Sequence, residues 1–194
     1  MYWMISTALE DVFRPLYGQP CWNARSGYGS FLTMEFGKPS LKIREPRIPC
    51  VSETPSPAKY LARRVVTVRG QWHLWIHSCE WQVVTGKKRI GHSNLKGSSK
   101  RPIVRAADEL DGQKLQCVSF NVQSGKTIFE FDLGSLLETR PYNQTSDQWL
   151  LYEPSGYVSA LRGDGHFSHQ PGDTPPDEQV YQPLLPLVER EAGS

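Results

Sequence analysis

The sequence predicts a mainly β protein, an antiparallel meander forming a sandwich or open half-barrel with two short packed helices. Three observations predict it. Between residues 115 and 168, short runs alternate apolar and polar side chains and are closed by turns containing Gly, Ser or Pro. The content of 6 Trp, 8 Tyr and 7 Phe beside 15 Pro and 16 Gly suits short strands joined by many turns. A hydrophobic fraction of 38% over 194 residues supplies enough apolar surface for one sizeable core.

From the N-terminus, Thr7-Ala8-Leu9-Glu10 matches a capping box, and Leu9, Val12 and Phe13 share a helical face before Pro15 ends the pattern. Leu32, Met34 and Phe36 then alternate with Thr33 and Glu35, and Gly37-Lys38-Pro39-Ser40 is expected to fold residues 41–44 back as a hairpin. Gly27 and Gly29 precede a strand rather than a helix and lack a Walker lysine, which argues against a phosphate-binding loop. Pro46, Pro49, Pro55 and Pro57 mark a loop inside the domain. Strands resume over residues 64–68, 72–77 and 81–84. In the middle one Trp72, Leu74 and Ile76 face one way and His73, Trp75, His77 and, beyond it, Cys79 the other, as in a central strand covered on both sides. Residues 85–101 are polar and rich in Gly, Ser and Lys, an exposed loop; Ile103, Ala107 and Leu110 follow at helical spacing until Asp111-Gly112.

The meander can be argued down to its register. Closure at Gln123-Ser124-Gly125-Lys126 sets Val122 opposite Thr127, Phe120 opposite Phe129 and Val118 opposite Phe131. A three-residue loop at Gly134-Ser135-Leu136 pairs Leu133 with Leu137, Phe131 with Thr139 and Glu130 with Arg140. A four-residue loop at Glu153-Pro154-Ser155-Gly156 puts Trp149 and Leu151 on the face of Ala160 and Val158. The next turn centres on Gly163-Asp164 or on Asp164-Gly165. Residues 1–169 are read as a single β-rich domain and residues 170–194 as a proline-rich tail, partly docked or mobile.

Cys21, Cys50, Cys79 and Cys117 follow no disulfide-scaffold or Cys-x-x-Cys spacing, which suits reduced thiols; with no apolar run of spanning length and no leader-like start, a cytoplasmic location away from membranes is expected. His77 and Cys79, two apart on a strand, could offer imidazole and thiolate to one metal, but a closed zinc site takes four ligands, so no metal or other cofactor is expected. No Gly-x-Ser-x-Gly elbow or separated carboxylate pair is legible, so no catalytic residue is assigned and the reading leans away from an enzyme. The formal charge of +2 hides a sequence dipole: residues 59–105 hold eleven Lys or Arg against Glu80 alone, and residues 106–194 hold fourteen Asp or Glu against five. Lys87, Lys88, Arg89, Lys96, Lys100 and Arg101 are candidate binding residues for an acidic partner, with His73, Trp75 and His77 as a second candidate face.

Four stretches carry a resemblance: Gly27-Tyr28-Gly29-Ser30-Phe31-Leu32 with Ile43-Arg44-Glu45-Pro46; Trp72-His73-Leu74-Trp75-Ile76; Phe129-Glu130-Phe131-Asp132-Leu133-Gly134; and Gln148-Trp149-Leu150-Leu151-Tyr152-Glu153-Pro154-Ser155-Gly156. Together they resemble an uncharacterised family of cytoplasmic bacterial proteins over residues 18–177. The resemblance implies a bacterial source and one shared fold, with no residue roles to carry over. The expected function is a non-enzymatic binding protein, an immunity or regulatory module that occludes another macromolecule, most simply a protein partner. The alternatives are a small enzyme or ligand-binding half-barrel using the His73, Trp75, His77 face, and a nucleic-acid binder using the basic segment 87–105.

Overall fold

A computed structural model describes residues 4–47, 61–94, 99–184 and 187–189. The chain is mainly β and entirely antiparallel, two seven-stranded sheets packed face to face. Sheet I runs in the order β16 (Leu187–Glu189), β1 (Met4–Ser6), β9 (Leu115–Asn121), β10 (Lys126–Phe131), β11 (Ser135–Pro141), β7 (Cys79–Thr85) and β8 (Lys88–His92). Sheet II runs β15 (Gln182–Pro183), β14 (His166–Pro171), β13 (Tyr157–Arg162), β12 (Asp147–Tyr152), β6 (Trp72–Ile76), β3 (Leu32–Phe36) and β2 (Trp22–Ser26). A two-stranded ribbon, β4 (Ser40–Arg44) with β5 (Val65–Arg69), stands apart from both. Two helices, α1 (Thr7–Phe13) and α2 (Arg101–Leu110), and a 3-10 turn at Arg14–Leu16 are the helical elements among the described residues.

The core fills the space between the sheets. Phe13 of α1 meets Phe129 and Trp149 edge-on at 5.7 and 5.2 Å, joining the helix to both layers. Burying side chains of this size stabilises by roughly 1.5–3 kcal/mol each. One group of core polar side chains is satisfied locally: Thr139 Oγ1 donates to Gln148 Oε1 at 2.6 Å, Gln148 Nε2 to the Gly125 carbonyl at 2.7 Å, and Trp149 Nε1 to Thr127 Oγ1 at 3.3 Å. These bonds stitch β11 and β10 of one sheet to β12 of the other.

The expected sandwich forms with the meander divided between its layers, β9 to β11 in sheet I and β12 to β14 in sheet II. Several expectations of register within the meander are corrected. In its first hairpin Phe129 pairs with Val118 and Thr127 with Phe120, two residues away from the expected register. Asn121 is the reason: its Oδ1 accepts from the Ser124 amide at 2.9 Å and the Ser124 hydroxyl at 3.0 Å, closing the loop over residues 122–125 and leaving Val122 exposed. The next loop has the expected three residues but uses Asp132-Leu133-Gly134, so Phe129 pairs with Leu137 and Arg140 stands opposite Glu80, not Glu130. Both shifts are even, which preserves the buried faces. The third is odd. Trp149 pairs with Leu161 and Leu151 with Ser159, because Pro154-Ser155-Gly156 closes a three-residue loop, and Ala160 and Val158 face the other way.

Further differences are local. Ser6, not Thr7, precedes α1, and its side chain makes no capping bond. β3 and β4 do not form a hairpin: β3 pairs with β2 and β6, and Gly37 (φ +76°) turns the chain away into the ribbon. The expected loop after Thr85 contains β8, which forms a hairpin with β7 through Gly86-Lys87. Arg162 and His166 bracket the loop Gly163-Asp164-Gly165, one residue longer than either expected centre. Of the tail, residues 182–183 pair with β14, residues 187–189 pair with β1, and Leu184 is buried. The expected loop around Pro49, Pro55 and Pro57 lies outside the described residues. No helix among the described residues is long and apolar enough to cross a membrane.

Candidate functional site

The six basic candidates do not act as one group. Arg89 and Arg101 line a shared cleft of about 750 Å³; the Lys100 ammonium donates to the Gly27 carbonyl at 3.3 Å; Lys87 and Lys88 sit at the β7–β8 turn; and Lys96 lies outside the described residues. The cleft is bounded by β7, β8, β11 and the start of α2, and it gathers three cations absent from the candidate set: Arg105, Lys126 and Arg140. Arg101 and Arg105 share a face of α2 because they are four residues apart.

On β8, Arg89 and His92 both line the cleft although they are three positions apart, a spacing that puts side chains on opposite faces of a regular strand. A bulge resolves this. Gly91 pairs with Val83 and Arg89 with Val84, so Ile90 is the extra residue and the alternation reverses across it. Gly91 also seats the helix: a Cβ there would run into the Pro102 carbonyl and the Ala106 methyl. A second tie is polar, since Glu109 Oε1 accepts from Thr85 Oγ1 at 2.8 Å and from Ser135 Oγ at 3.2 Å.

Two carboxylates share the cleft. Glu138 Oε2 accepts from Gln82 Nε2 at 2.9 Å, and Glu80 stands across the ladder from Arg140. Among the described residues Arg89, Arg101, Arg105, Lys126 and Arg140 close no salt bridge with either. Five cations against two carboxylates leave the cleft strongly electropositive.

The second candidate face is the outer surface of sheet II. β6 is central in sheet II, as expected, but only its Leu74 and Ile76 face is covered: His73 and Trp75 lie on the half-buried outer face, where His73 meets a buried carboxylate that the sequence reading did not single out. Glu35, only 1% exposed, accepts from Arg69 Nη1 at 2.9 Å, His73 Nδ1 at 3.0 Å and the Gly70 amide at 3.0 Å. Burial alone would raise its pKa, but the bond and charge of His73, with the Gly70 amide and Arg69, outweigh burial and hold it below the ordinary carboxylate value. Gly70 is required there, because a Cβ would meet the Phe36 carbonyl at 2.5 Å. Trp75 stacks beside His77 at 5.1 Å and meets Phe31 edge-on at 5.5 Å.

His77 and Cys79 part company. Ser78 adopts φ +50° and turns the chain from sheet II into sheet I, so His77 stays among the outer aromatic rings while Cys79 enters the core and donates to the Gln148 carbonyl. Burial first, then Glu80, pushes the Cys79 thiol well above its ordinary pKa, away from the thiolate a metal needs. Among the described residues no group of three or more His, Cys, Asp or Glu could hold a metal ion. His77 Nδ1 lies 3.0 Å from Ser78 Oγ, but its Nε2 is buried without a partner among the described residues, where no carboxylate orients the ring as in a catalytic triad.

The missed residues left faint signals. Glu35 alternates with Met34 and Phe36, so its outward side was legible, but its partners depend on β3 pairing with β6 across an intervening ribbon. Arg105 lies four residues after Arg101, a helical spacing visible in the sequence; Lys126 and Arg140 depend on long-range pairing. The chain matches no protein-family model, no curated protein and no solved structure at a significant level.

Proposed function

We propose that this chain is a non-enzymatic binding protein of the bacterial cytoplasm, an immunity or regulatory module that occludes another macromolecule by gripping an acidic protein segment in the cleft between α2 and β7, β8 and β11. The observation that carries the reading is the convergence of Arg89, Arg101, Arg105, Lys126 and Arg140 on one cavity without salt-bridge partners among the described residues. Cations left unpaired on a concave surface attract opposite charge and raise association rates. An acidic polypeptide fits better than nucleic acid, because Glu80 and Glu138 on the same wall repel an unbroken run of phosphates but leave room for carboxylates interspersed with donors.

The test is fluorescence anisotropy of a labelled oligoglutamate peptide and of a labelled DNA duplex, each over a salt series. The peptide should bind more tightly than the duplex at equal ionic strength, and the combined Arg89→Ser, Arg101→Ser, Arg105→Ser variant should lose most of that binding with the fold intact. Preferential duplex binding would favour the nucleic-acid alternative. Equal peptide binding by the variant and the parent would remove the cleft from the function.

A further inference from the structure

The outer face of sheet II holds a second concavity, independent of the cationic cleft. Two adjoining cavities of about 540 and 400 Å³ share Arg69, His73 and Trp75 as common walls. Each is within the size range of small-molecule pockets. The first continues to Lys42 and Tyr152, the second to Arg25 and Tyr28.

Arg69 is held as a ligand-binding arginine needs to be. Its Nη1 is committed to Glu35 and lies 3.3 Å from His73 Nδ1, whereas Nη2 and Nε make no hydrogen bond among the described residues. The side chain is 32% exposed above a carboxylate that is almost fully buried, so the guanidinium is anchored from below and its free edge is open above. That edge is a planar two-donor fork, which matches the two oxygens of a carboxylate or phosphate. Arg25 and Lys42 stand on either side without salt-bridge partners among the described residues. The one carboxylate on the wall among the described residues, Glu153, is already engaged by the Ser159 hydroxyl at 2.8 Å and His169 Nε2 at 3.2 Å. Rings flank the fork on both sides: Tyr152 beside His73 at 5.8 Å, and Trp75 with Tyr28 beyond it.

We infer that this face is a binding site for a small molecule that carries a carboxylate or phosphate on a flat ring, the oxyanion on the free edge of Arg69 and the ring against Trp75 or Tyr152. Nothing else among the described residues uses the Nη2 and Nε donors of Arg69, and an anion with no ring would leave the aromatic walls without a role.

The test is calorimetric titration of the full chain with nicotinate and with adenosine 5′-monophosphate, against acetate, inorganic phosphate and adenosine as controls. At least one ring-bearing anion should bind about tenfold more tightly than its ring-free counterpart and than adenosine; which of the two binds identifies the anion as carboxylate or phosphate. Arg69→Lys keeps a cation on Glu35 but removes the fork, so it should cost about tenfold or more in affinity with little change in melting temperature. Because that variant still touches the buried carboxylate, Lys42→Ser and Tyr152→Ala, both away from it, provide a second reading and should each weaken binding. No saturable binding of either ring-bearing probe at millimolar concentration would overturn the proposal. So would ring-free anions binding as tightly as ring-bearing ones, or affinity indifferent to all three variants.

Discussion

Glu35→Gln is the sharpest perturbation of the framework beneath the sheet II groove. The native carboxylate accepts three hydrogen bonds, two of them from cationic or potentially cationic partners, while only 1% exposed. Glutamine has one oxygen and one NH2 group. Whichever way the amide is turned, the NH2 faces a donor, either the Gly70 amide or the Arg69 and His73 nitrogens. The variant therefore loses one charged acceptor, worth about 1.5–3 kcal/mol, and leaves a buried donor unpaired at about 1–3 kcal/mol. Arg69 is one-third solvated, which discounts the electrostatic share, so a loss of about 3 kcal/mol is expected. For a chain of this size that lowers the melting temperature by about 6–12 °C. Urea unfolding of parent and variant at pH 7 and pH 3.5 reads the effect. The sign follows from the lowered folded pKa of Glu35: its stabilisation is complete above the ordinary value near 4.5 and fades as pH falls through the lower folded value. The gap between parent and variant should therefore narrow on acidification. A gap under about 0.5 kcal/mol at pH 7, within the range of ordinary surface changes, would refute the reasoning, as would a gap that widens in acid.

Three further outcomes are expected. Gly91→Ala should destabilise by about 3 kcal/mol in urea melts, the upper range for overpacking, because the new methyl meets the Pro102 carbonyl and Ala106; a neutral result would mean the helix seat is looser than described. Thr139→Val should cost about 1–3 kcal/mol in the same assay by leaving the Gln148 amide oxygen without the hydroxyl that donates to it at 2.6 Å. Native alkylation with iodoacetamide followed by mass spectrometry should spare Cys21, whose pKa burial and then Asp111 push up to about 12, and Cys79, pushed up by burial and Glu80; rapid modification of either in the folded chain would contradict their burial.

The fold class was legible because alternation survives every even shift of register. Phe129 and Leu137 reach the core whether the first loop begins at residue 122 or 124, since side-chain direction has a period of two. Registers were less legible because a side chain could capture a turn: nothing in the run Asn121-Val122-Gln123-Ser124 forces the Asn121 carboxamide onto the Ser124 amide, yet that bond moves the hairpin by two residues. β8 was hidden for another reason. Lys88-Arg89-Ile90-Gly91-His92 carries no alternation, because it is an edge strand with a bulge and obtains its order from pairing with β7 and from the helix seated on Gly91. Charge nominated Arg89 and Arg101, which line the cleft, but could not separate them from Lys100, which turns to the Gly27 carbonyl.

The seat of α2 on Gly91 sets the aperture of the cationic cleft. Helix and strand normally meet through a layer of side chains whose rotamers can give by an ångström or so, but at Gly91 there is only a hydrogen where that layer would be. Arg101 and Arg105 on the helix and Arg89 and His92 on the strand are therefore two jaws of a caliper clamped at one setting. If the cleft holds the acidic segment proposed above, a guest too thick for that setting would have no side chain to push aside and would have to displace backbone. On the proposed function, the helix seat would select by thickness before any charge is read, and a homologue that replaced this glycine would have to hold a differently sized guest or give up the helix altogether.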